Sequence, residues 1–137
     1  MAFNFEQKIR EFQLAKRTLP AVIGNMAKRH FVDSFRKGGF TDITLDPWAK
    51  RKKKDRSDRN TTRTRAILVK NGHLRRSIRV RVATFNLIEI GAYNIPYSVF
   101  HNTGVGKMPK RQFIGESATL SRKIKARINK EFKDILR

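Results

Sequence analysis

Apolar residues in this chain recur at two different periods, and the order in which those periods follow one another restricts it to one class of fold. Phe5, Ile9 and Phe12 stand at i, i+4 and i+7, which predicts a short amphipathic helix over 4–17. Thr18 is placed to cap a second helix with Pro20 in its first turn. Val22, Ile23, Met26, Ala27, His30, Phe31, Ser34 and Phe35 then share one face until Gly38-Gly39 ends it. At Ile78 the period falls to two: Ile78, Val80 and Val82 point one way and Arg79 and Arg81 the other, as in a half-buried strand. Leu87 to Ile90 is its expected antiparallel partner, joined by a turn around Thr84 to Asn86 and ended by Gly91. Leu120, Ile124, Ile128, Phe132 and Ile135 return to helical spacing and predict a helix over 117–137 with a basic outer face.

Helix, strands, helix in that order reads as an α+β domain: a small antiparallel sheet around residues 74–91, packed against helix 20–36 and the C-terminal helix. Between the regular parts the pattern fails. Residues 40–66 read as a long loop in which only Ile43, Leu45 and Trp48 offer anchors, and 50–65 as a flexible basic stretch with little apolar surface to offset ordering. Ile67 to Val69 is a short apolar run, Asn71-Gly72 a tight-turn signal, Ile95 to Asn102 a helical turn after Pro96, and Gly104 to Lys110 a loop. With 137 residues and 39% hydrophobic content the chain is expected to form a single domain, residues 1–19 being a helical extension.

Charge is the second constraint. Thirty-two Lys and Arg against eleven Asp and Glu give a formal net charge of +21, a self-repulsion that suits a chain with an acidic partner. Residues 50–81 carry fourteen basic residues and two acidic ones, so more than half of the net charge lies in under a quarter of the chain. The run Lys50, Arg51, Lys52, Lys53 and Lys54 reads first as a solvated loop, then as a dock for an acidic protein surface, and third as a nucleic-acid contact. Arg79 and Arg81 are held on one strand face about 7 Å apart, a spacing that meets successive phosphates or carboxylates. Arg75, Arg76, Lys110 and Arg111 extend the same candidate contact set.

Several chemistries find no support in the residue pattern. The chain has no cysteine, hence no disulfide framework and no thiolate zinc site, which fits a reducing compartment. His30, His73 and His101 lack carboxylates at ligand spacing, so neither a metal nor another cofactor is expected. Gly104-Val105-Gly106-Lys107 misses the spacing of a phosphate loop and has Met108 where a hydroxyl is needed. The serines sit in no nucleophile elbow and no carboxylate pair flanks an apolar pocket, so an enzyme is not expected. Met1 to Glu6 lacks the basic-then-apolar pattern of a secretion signal, and no run of about 18 apolar residues occurs, so neither standard secretion nor a membrane span is expected.

Four short segments remain: Asp46-Pro47-Trp48, Leu68-Val69-Lys70-Asn71-Gly72-His73-Leu74, Pro96-Tyr97-Ser98-Val99-Phe100-His101-Asn102-Thr103-Gly104, and Met108-Pro109-Lys110-Arg111-Gln112-Phe113-Ile114-Gly115. In order and spacing they resemble the Mu-type phage virion morphogenesis family, the tail completion proteins, over roughly residues 20–136. Asn71 stands where the family usually has Thr, Ser98 where it has Ala, and Gln112 where it has Pro. The resemblance implies a structural virion protein, assembled in the host cytoplasm, that completes the tail and joins it to the head as a homo-oligomeric ring, expected to be of six, around the DNA channel. Its implied partners are tail-tube and neck proteins, with passing contact with DNA. Trp48, Tyr97, Phe100 and Phe113 are then candidate interface residues or anchors, Tyr97 and Phe100 being expected to pack under the sheet. The competing class, favoured by charge alone, is a nucleic-acid-binding module. It lacks zinc-finger spacing, an RNP aromatic motif and a GXXG loop.

Overall fold

In the computed structural model, which describes residues 2–51, 66–69 and 71–137, the chain opens with one helix where two were expected. Helix α1 runs unbroken from Phe5 to Lys37. Asn4 caps it, its side chain accepting the Gln7 N–H at 3.0 Å, and Gly38 closes it in the left-handed conformation at φ 67°. Thr18 does not start a second helix. Its hydroxyl donates back to the Leu14 carbonyl at 3.0 Å, a bond that belongs to a helix interior. Pro20 lies inside the helix, where a proline costs about 3 kcal/mol through its missing N–H and its ring. Ala15, Leu19 and Pro20 are all buried, and apolar burial of about 1.5–3 kcal/mol for a leucine offsets much of that cost.

The stretch read as a loop after residue 40 begins instead with a hairpin: β1 (Gly39–Thr41) pairs antiparallel with β2 (Leu45–Pro47), Phe40 opposite Asp46. Three-residue strands are too short to display alternation, and Asp and Pro are poor strand formers. The hairpin is held by tertiary contacts: Phe40 is buried beside Phe31, and the Trp48 N–H donates to the Gly38 carbonyl at 2.8 Å. Of the expected basic loop 50–65, all but Lys50 and Arg51 lies outside the described residues.

A third departure follows at residue 74, expected to open the sheet. His73–Ser77 is a short helix, α2. Gly72, left-handed at φ 70°, turns the chain so that its carbonyl accepts the Arg76 N–H at 2.9 Å, while the Ser77 hydroxyl donates to Leu74 O at 2.7 Å. Leu74, 3% exposed, anchors that turn in the core.

The sheet proper is β3 (Ile78–Ala83) and β4 (Ile88–Ala92), antiparallel and joined through reciprocal bonds between Thr84 and Leu87. β4 runs one residue past the expected stop at Gly91, because Ala92 pairs with Ile78. The register shifts between Val80 and Val82, so Arg81 is the extra residue of a bulge, yet Arg79 and Arg81 stay exposed while Ile78, Val80 and Val82 turn inward. α1 packs across this sheet at Gly24, where a Cβ would come within 3.1 Å of Val80 Cγ1. α3 (Ser98–Thr103) and α4 (Ala118–Leu136) complete an α+β fold, α4 capped by Ser117 and packed along α1. Phe35, Ile78 and Phe113, each 1% exposed, form the centre of the core with Phe31, Trp48, Leu74 and Leu120 around them.

Candidate assembly surface

Asn102 organises the surface that the short segments build. Its side-chain oxygen accepts both the Phe113 N–H (2.9 Å) and the Ile114 N–H (3.0 Å), and its amide nitrogen donates to Ile114 O at 3.1 Å. The Arg111 N–H adds a bond to His101 O at 2.8 Å, so α3 and residues 111–114 are laced together much as two strands would be. Gly104, at φ 72°, lets the chain leave α3. A Cβ there would sit 2.9 Å from the Lys110 backbone nitrogen.

The Trp48 segment joins the same unit. The indole N–H donates to Gln112 O at 2.7 Å and the ring meets Phe35 edge-on at 5.5 Å. The Arg111 guanidinium donates twice to Ala49 O, at 3.1 and 2.9 Å. Residues 68 and 71–74 close the other side: with Tyr97 and His101 they line a small cavity of about 80 Å³. Four segments separated by up to about sixty residues are thus contiguous in space.

Within this unit the expected side chains divide. Trp48 (6% exposed) and Phe113 (1%) are buried and serve as anchors. Tyr97 and Phe100 do not pack under the sheet: they are 45% and 46% exposed, because the inner side of the short α3 is occupied by His101 and Asn102 engaging 111–114. Val99, Val105 and Met108, on α3 and the loop after it, are exposed as well.

The basic residues are also distributed. Arg79 and Arg81 both approach the ring of Tyr93, their guanidinium carbons 5.3 and 5.8 Å from its centroid. Glu89 accepts from Arg81 at 3.4 Å and from the Tyr93 hydroxyl at 2.9 Å, and burial followed by this hydrogen bond raises the Tyr93 pKa. Tyr93 and Glu89 escaped the sequence reading, Tyr93 because it lies beyond Gly91. Arg75 and Arg76 are exposed on α2; Lys50 and Lys110 are exposed, and Arg51 donates to Ala66 O at 2.9 Å. Burial, then Arg51, lowers the pKa of the half-buried Arg111. Lys52, Lys53 and Lys54 lie outside the described residues.

Two imidazoles report on this packing. Burial, followed by the Arg111 charge, depresses the His101 pKa, and its Nδ1 has no hydrogen-bond partner among the described residues. Burial also depresses His30, against the bond its Nε2–H donates to Thr41 O at 3.0 Å; Lys123 and Lys37 push the same way as burial and Asp33 opposes them. Unfolded imidazoles protonate as pH falls through about 6.5 while the folded ones stay neutral to lower pH, so the unfolded state takes up protons first. Their contribution is therefore complete above about pH 6.5 and is lost as pH falls through the depressed folded values. Urea midpoints should drop between about pH 7.5 and about pH 5.5. Replacing His30 and His101 together by Gln should flatten that drop; an unchanged slope in the double variant would contradict the assignment.

Among the described residues no three His, Asp or Glu side chains gather as a metal site, and no helix is long and apolar enough to cross a membrane. No protein-family profile, curated protein or solved structure matches the chain.

Proposed function

We propose that this chain is a structural component of a phage tail, a tail completion protein that ends the tail and joins it to the head as a homo-oligomeric ring around the DNA channel. The observation that carries the reading is the convergence of the described parts of the four resembling segments: 46–48, 68 with 71–74, 96–104 and 108–115 pack into one unit through Trp48, Asn102 and Arg111. Motifs that share an order along a chain and also a place in the fold support a resemblance better than either alone. In this reading the action is stoichiometric. The ring caps the tail tube, matches the neck proteins and leaves a lumen for DNA.

Electron microscopy of tails completed with the purified protein tests the proposal directly. A closed ring at the head-proximal end is expected; a single copy on intact tails would sink the ring. The partner chemistry is tested by Arg79→Gln with Arg81→Gln, which removes two charges from an exposed face and leaves Ile78, Val80 and Val82 in place. That variant should fold and form fewer joined particles, the defect deepening as salt screens the remaining charges.

A nucleic-acid-binding reading is favoured by one specific arrangement, the two guanidinium groups gathered at the Tyr93 ring. If it holds, the affinity for duplex DNA should fall steeply with log salt and the double replacement should lessen that slope by up to about two. Normal head-to-tail joining by the variant, with a clear loss of DNA affinity, would favour this second reading over the first.

A further inference from the structure

The cavity of about 80 Å³ between the turn into α2 and α3 differs from the core beneath it in the polar groups that reach it. Asn71, His73, Tyr97 and His101 line it together with Gly72, and Leu68 and Leu74 complete the lining. Asn71, His73 and Tyr97 are exposed, which puts the mouth at the surface. His101 is half-buried, and its Nδ1 has no hydrogen-bond partner among the described residues.

Gly72 is one wall of this cavity and also the point on which two cations converge. A Cβ on Gly72 would come within 2.8 Å of Arg76 Nη1 and 3.7 Å of Arg75 Nη2, so both guanidinium groups fold back onto the left-handed turn. Neither has an ion partner among the described residues. Two like charges gathered in this way repel unless an anion joins them. The neighbouring chain offers little to do so: between Asp58 and Glu116 it has eleven Lys and Arg and one carboxylate, Glu89, which Arg81 and the Tyr93 hydroxyl already engage.

We propose that this cavity, with Arg75 and Arg76 at its Gly72 wall, binds a phosphate group. The site goes beyond tail assembly and stands whether or not the chain forms a ring. Size sets the ligand class: at about 30 Å³ per water, about 80 Å³ accommodates two or three waters or one tetrahedral oxyanion, so anything larger that carries the phosphate stays outside. Charge sets its sign. Guanidinium forks match phosphate oxygens, and the imidazoles, the Asn71 amide and the Tyr97 hydroxyl can each donate a further hydrogen bond. A metal ion on the same imidazoles would face Arg75, Arg76 and Arg111, and the Arg111 charge, after burial, already depresses the His101 pKa.

The chain has three histidines and two of them line the cavity, so imidazole resonances read the site directly by NMR. The titration is run at about pH 7.5 with ionic strength held at about 0.15 M, which keeps general screening constant. Inorganic phosphate should move His73 and His101 saturably and leave His30 in place. Arg75→Gln and Arg76→Gln, both at exposed side chains, are made singly and together. The pair should weaken binding at least about tenfold, as the loss of charge-assisted hydrogen bonds does. Thermal melts verify folding, and the single variants keep the comparison if the pair unfolds. Lys125→Gln with Lys130→Gln removes the same charge from exposed positions of α4, which adds no residue to the cavity, and should stay within about twofold of the parent.

A 5′-phosphorylated oligothymidine, added as competitor, identifies where the phosphate comes from. Displacement of inorganic phosphate at far lower concentration assigns the bound group to a nucleic-acid end, and no such advantage assigns it to free phosphate. The proposal is overturned if phosphate gives no saturable shift, if the shifts persist in the folded Arg75 and Arg76 variants, or if His30 moves with the other two. A loss of binding in the α4 variant equal to that in the arginine pair would also overturn it, by showing that net charge and not the cavity holds the anion.

Discussion

Phe35→Ala should destabilise the fold by about 3–5 kcal/mol, the loss typical of emptying a buried phenylalanine site. Phe35 is 1% exposed and its ring touches both Trp48 (5.5 Å) and Phe113 (5.4 Å), so one truncation opens a void among three aromatic side chains drawn from α1, the segment after β2 and the segment before α4. Little else can close it, since Trp48 is tethered by its bond to Gln112 O. The melting temperature should fall on the order of 10–20 °C, with Trp48 fluorescence reporting the change. Phe5→Ala, at a side chain 72% exposed, should stay within about 0.5 kcal/mol of the parent. A Phe35→Ala loss as small as that of Phe5→Ala would show that the three rings do not act as the centre of the core.

Asn102→Ala is expected to cost about 2–4 kcal/mol, because it leaves the Phe113 and Ile114 N–H groups without their acceptor in a partly buried setting. Asn102→Asp keeps an acceptor for both donors and loses the amide bond to Ile114 O, so it should recover a good part of the loss. Amide exchange separates this from general loosening. Protection at 113 and 114 should fall first and furthest, while the centre of α1 keeps its protection at equal net stability. Uniform loss across the chain would count against the lacing role of Asn102.

The parts of the fold that were legible in the sequence are those whose register is repeated. Leu120 to Ile135 and Ile78 to Val82 each state their period several times, and both elements stand where that pattern puts them. Arg79 and Arg81 could be assigned to one exposed face for the same reason. What was not legible depends on single long-range contacts. β1 and β2 exist because Phe40 and Trp48 have a core to enter, and α2 because Gly72 turns left-handed above Leu74; neither leaves a periodic trace. Asn102 is one polar residue in an apolar segment, and its bonds reach eleven and twelve residues onward. Tyr97 and Phe100 were assigned inward from their apolar character, which does not tell a packed face from an exposed one.

Pro20 leaves α1 geometrically continuous while removing one of its hydrogen bonds. Having no N–H, it cannot return a bond to the Lys16 carbonyl, so the helical ladder has a missing rung at the point where the helix passes from α4 toward the sheet. Cooperativity along a helix is carried rung by rung. The turns before Pro20 are therefore expected to exchange their amides ahead of the turns after it, which pack on Val80 and Ile88. Exchange at residues 5–19 running ahead of exchange at 24–35 would make the first turns of α1 an arm that can be released from a stiff body; equal protection along the helix would show one cooperative rod.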